Sequence, residues 1–65
     1  MKRVRTTRQA VNALKSGKSV EILMDQKGQP KQLIEAVTKD VAATTRVLPG
    51  SRFKAVQFRP PDEAT

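Results

Sequence analysis

The stretch TTRQAVNALKSGKSVEILMD, residues 6–25, changes its apolar period from that of a helix to that of a strand across a single glycine. Ala10, Val11 and Leu14 recur at helical spacing, whereas Val20, Ile22 and Met24 alternate with Glu21, Leu23 and Asp25. A helix followed directly by a strand points to a domain of mixed α and β content. Local signals set the helix limits. Thr6-Thr7-Arg8-Gln9 fits a capping box, in which the Thr6 hydroxyl accepts the Gln9 amide and the glutamine side chain returns to the Thr6 amide. Gly17 can take the left-handed backbone that ends a helix, so the helix should stop at Ser16, with Lys15 favourably placed in its last turn.

Beyond the strand, Asp25-Gln26-Lys27-Gly28 has the composition of a type I turn. Pro30 suits a first helical position, Glu35 and Lys39 make an i,i+4 pair, and Leu33, Ile34, Val37 and Val41 share one helical face, predicting a helix over 30–44. A second reading makes Lys31 to Val37 the return strand of a hairpin. Thr44 to Leu48 is extended in character, and Leu48-Pro49-Gly50-Ser51 reads as a type II turn with Gly50 at positive φ. Arg52 to Phe58 alternates again, and Pro60-Pro61 prevents continuation as a central strand. The expected architecture is two short helices packed on a small antiparallel sheet in a single small domain. Residues 1–5 form a basic arm that can pair as an edge strand, 6–59 the domain, and 60–65 a polar, proline-led tail.

A 65-residue chain buries only about 60% of its unfolded surface, and without cysteine it has no disulfide to add stability. Phe53 and Phe58, its two aromatic residues, are therefore expected in the core, and a homodimer or a complex is expected to cover further apolar surface. No apolar run exceeds three residues, as at Ile22-Leu23-Met24, and none follows Met1-Lys2-Arg3 as in a signal peptide. The expectation is a soluble cytoplasmic protein without a membrane partner.

Charge is distributed unevenly. The formal net charge is +7, and residues 1–18 carry Lys2, Arg3, Arg5, Arg8, Lys15 and Lys18 with no acidic residue. Such an end attracts polyanions, of which nucleic acid is the commonest. Catalysis is poorly supplied, because with neither His nor Cys an acid–base or nucleophilic site would rest on Asp, Glu, Lys, Ser or Thr. No enzyme, cofactor or metal site is expected: Asp25-x-x-Gly28 lacks the acid density of a calcium loop. Gly17-Lys18-Ser19 imitates the end of a phosphate-binding loop, but that motif needs glycine where the chain has Asn12, and its helix follows rather than precedes. A helix-turn-helix over Gln32 to Val47 fails at Asp40, which stands where the turn wants glycine, and at Pro49, which shortens the second helix.

With no Tyr or Trp, a single-strand stacking platform is poorly equipped, whereas duplex DNA asks for Lys and Arg on phosphates and for Arg, Asn or Gln at base edges. The first helix offers Arg5, Arg8, Asn12 and Lys15 at three- and four-residue spacing, with Lys2 and Arg3 as an arm toward the minor groove and Lys18 beyond the cap. Arg52, Lys54 and Arg59 form a second basic set, which would share a face with the first if the last strand lay beside the arm. The stretches VNALKSGKSVEI and PGSRFKAV, under half of the chain, resemble segments of the histone-like bacterial DNA-bending family, whose proline-tipped basic arm has no counterpart here. The expected function is thus a small basic nucleic-acid-binding regulatory protein of the phage or plasmid accessory kind, favouring duplex DNA. The alternative is a non-enzymatic interaction or assembly module docking on an acidic protein partner.

Overall fold

A computed structural model describes residues 1–61. In chain order its elements are strand β1 (Lys2–Arg3), helix α1 (Thr7–Lys15), β2 (Val20–Asp25), α2 (Pro30–Thr38), β3 (Thr44–Leu48) and β4 (Phe53–Arg59). The strands form one sheet in the order β1-β2-β4-β3. Antiparallel pairing holds for β2 with β4 and for β4 with β3, but β1 runs parallel to β2, so the sheet is mixed. The parallel pair follows from α1, which returns the chain to the starting end of β1 as a crossover helix does. The crossovers β1-α1-β2 and β2-α2-β3 move in the same direction across the sheet, and a common right-handed sense puts both helices on one face. The other face is open.

Both caps of α1 have a specific chemical cause. The Thr6 hydroxyl accepts the Gln9 N–H at 3.1 Å, but the Gln9 side chain reaches past Thr6 to the Arg5 N–H at 3.0 Å. At the other end Lys18 N–H donates to the Ala13 carbonyl and Gly17 N–H to that of Leu14, both at 3.0 Å, the bond pair of a Schellman motif. Gly17 has φ +79°, as that motif requires. Helix α2 begins at Pro30 as expected and ends at Thr38, six residues short of the expected limit. There the Thr38 hydroxyl donates back to the Ile34 carbonyl at 2.7 Å, and the chain leaves the helix while Val41 still returns to the core. A helix over these residues excludes the hairpin alternative.

Alternation sorts the strand residues. Val20, Ile22, Val56 and Phe58 face the helices and pack with Val4, Ala10, Val11, Ala13, Leu14, Val37 and Val41. Phe58 is fully buried, but Phe53 is 55% exposed, against the expectation for it. The two differ by five positions along one strand, and an odd separation places them on opposite faces. Gly50 also departs from expectation. It does not adopt positive φ, and no type II turn forms; a side chain there would instead collide with the Phe53 carbonyl oxygen. Pro60 is buried, and 62–65 of the expected tail lie outside the described residues. No helix among the described residues is long and apolar enough to cross a membrane.

Candidate nucleic-acid interface

The expected basic residues separate onto two sides of the molecule. On α1, Arg8, Asn12 and Lys15 are exposed while Val11 and Leu14 are buried, so the helical stripe forms as the spacing requires. Lys2, Asn12 and Lys18 come together with Arg3, Gln9 and Ser16 around a concavity of about 350 Å³. Three local structures build it. The strand pairing of β1 supplies Lys2, the middle of α1 supplies Asn12, and the Schellman turn holds Lys18.

The arm is paired rather than free. Lys2 N–H donates to the Ser19 carbonyl at 3.1 Å and Val4 N–H to that of Glu21 at 2.9 Å, while the Val4 side chain is buried. Residues so docked cannot extend into a minor groove. Pairing also imposes alternation, which sends Lys2 and Val4 to the helix side but Arg3 and Arg5 to the open face. There Arg3 lies 4.0 Å from Glu21, its cross-strand partner, and Arg3, Arg5 and Leu23 line a concavity of about 520 Å³. Arg5 therefore leaves the helical stripe to which its spacing had assigned it.

The second basic set disperses for the same reason. Lys54 faces the helix side, half-buried, and its ammonium donates to the Gly28 carbonyl at 3.3 Å, tying β4 to the 25–28 turn. Arg59 faces the open side, and Arg52 precedes the strand. Moreover β2 lies between β1 and β4, so the last strand is not beside the arm and the two sets do not merge.

Residues that sequence reasoning left out appear beside Arg59. Thr44 stands opposite Arg59 and Arg46 opposite Gln57, and these four side chains line a concavity of about 160 Å³ on the open face. Only the β3–β4 register creates this group, since its members lie up to 15 positions apart in the chain. Comparison with family models, with curated proteins and with solved structures finds no match to the chain.

Proposed function

We propose that this protein is a small, non-enzymatic, basic regulatory protein of the cytoplasm that binds duplex nucleic acid, DNA foremost, through the exposed side of α1. The observation that carries the reading is the convergence of Lys2, Asn12 and Lys18 on one concavity beside the exposed Arg8–Lys15 stripe. Lys2, Arg8, Lys15 and Lys18 are suited to phosphates, and the Asn12 amide can both donate to and accept from a base edge. Because the cations sit on a capped helix and a paired strand, little ordering is needed on binding. A homodimer belongs to the same reading: β3 is an outer strand, and a second copy pairing there would enlarge a small core. Sedimentation at micromolar concentration should then give twice the chain mass.

Salt dependence tests the nucleic-acid reading. Four phosphate contacts on a random duplex predict a plot of log affinity against log salt with a slope of roughly −3.6. A slope near zero, or no binding at about 50 mM salt, would transfer the basic side to an acidic protein partner.

A further inference from the structure

We infer that the open face of the sheet is a second binding surface, for single-stranded nucleic acid. It goes beyond the duplex reading and uses different residues. Across this face the register aligns Leu23 with Ala55 and Leu48, an apolar row spanning three strands. Phe53, two positions from Ala55 along β4, stands beside the middle of the row on the same face, and it and Leu23 are exposed. Guanidinium groups flank the row on both sides: Arg3 and Arg5 at the β1 edge, Arg46 and Arg59 toward β3. Among the described residues no carboxylate lies within ion-pair distance of Arg46 or Arg59.

The chain lacks Tyr and Trp, but Phe53, expected in the core, stands exposed and supplies one ring, so the arrangement fits the chemistry of an unpaired strand. Its bases are free to lay their π-faces on Phe53 and on the aliphatic row, its phosphates meet the arginines, and the Gln57 amide is placed to read a base edge. A duplex keeps its bases stacked inside and would press only phosphates on Leu23, Leu48 and Phe53. A second copy of the chain would bring its own four arginines to the surface, against only Glu21 and Asp25 on each face among the described residues. With strands about 4.8 Å apart, the arginines of the β1 edge and of β3 stand roughly 14 Å apart. Along β4, Phe53 and Arg59 are separated by about 20 Å, which accommodates on the order of four nucleotides.

Fluorescence anisotropy with a labelled oligothymidylate of about 12 nucleotides and with a hairpin duplex of similar length tests the assignment. The double variant Arg46→Ala/Arg59→Ala should weaken oligothymidylate binding about tenfold or more and duplex binding less than about threefold. Phe53→Leu, which keeps apolar bulk but removes the ring, should weaken the single strand about fivefold or more, and Phe53→Tyr should restore it. The helix variant Arg8→Ala/Lys15→Ala should show the opposite preference, so failure of either surface is read separately. Oligothymidylate binding that is absent in the parent, or unchanged in the Arg46/Arg59 and Phe53 variants, overturns the assignment. So does a Phe53→Leu chain that turns from dimer to monomer in sedimentation while still binding the oligomer, since the face is then a contact between copies.

Discussion

The backbone N–H of Arg5 donates to Oε1 of Gln9 at 3.0 Å, so a side chain from the first turn of α1 holds the end of the arm. Together with the Val4 bond to the Glu21 carbonyl, this fixes the residue at which the chain passes from strand to helix. It also fixes where the basic residues diverge, with Arg3 and Arg5 on the open face and Arg8 on the helix.

Gln9→Ala should therefore speed hydrogen exchange at the Arg5 amide while the Val4 amide, bonded to β2, stays protected. Thr6→Ala removes the N-cap acceptor itself and should lower stability by about 1 kcal/mol in urea unfolding. Equal acceleration at both amides would mean that the arm detaches as a unit.

The two sides of α1 should fail differently. Leu14 is 2% exposed, and Leu14→Ala should cost about 2 to 5 kcal/mol, enough to unfold a small domain. Arg8→Ala/Lys15→Ala removes two exposed cations in favour of the best helix former, so the thermal transition should hold or rise. Its duplex affinity should nevertheless fall, and the salt slope should become shallower by about 1.8, as expected for two lost phosphate contacts. Unchanged duplex affinity in this folded variant would leave the stripe as a solvated surface.

The two phenylalanines provide a comparison within one strand. Phe58→Ala empties a fully buried site and should cost about 3 to 5 kcal/mol, whereas Phe53→Ala at an exposed site should stay within about 0.5 kcal/mol of the parent. Urea unfolding of both variants measures the difference. A comparable loss at Phe53 would place that ring in a packed environment.

Two glycines should respond to alanine for different reasons. At Gly17 nothing stands within 4 Å of the added carbon, so Gly17→Ala carries only the strain of φ +79°, about 1 to 2 kcal/mol. At Gly50 the added carbon meets the Phe53 carbonyl oxygen, and the loop before β4 must move. Amide chemical shifts of Gly50→Ala should change throughout 50–54, while those of Gly17→Ala should change mainly at the end of α1.

Much of this architecture was legible in the residues because its causes are local. The cap at Thr6, the stop at Gly17, the turn closed by the Gly28 N–H on the Asp25 carbonyl and the alternation of Val20, Ile22 and Met24 act over a few positions each. The exposure of Arg8, Asn12 and Lys15 followed from the same short-range geometry. Tertiary structure decided everything that depends on which strand lies beside which. Order β1-β2-β4-β3 made the sheet mixed, kept the last strand away from the arm, and brought Thr44 and Arg46 beside Arg59 and Gln57. It also decided that both helices cover one face, which left Phe53 exposed although a small core has room for apolar side chains. Alternation along a strand assigns residues to two faces, but only the completed sheet determines which of those faces is buried.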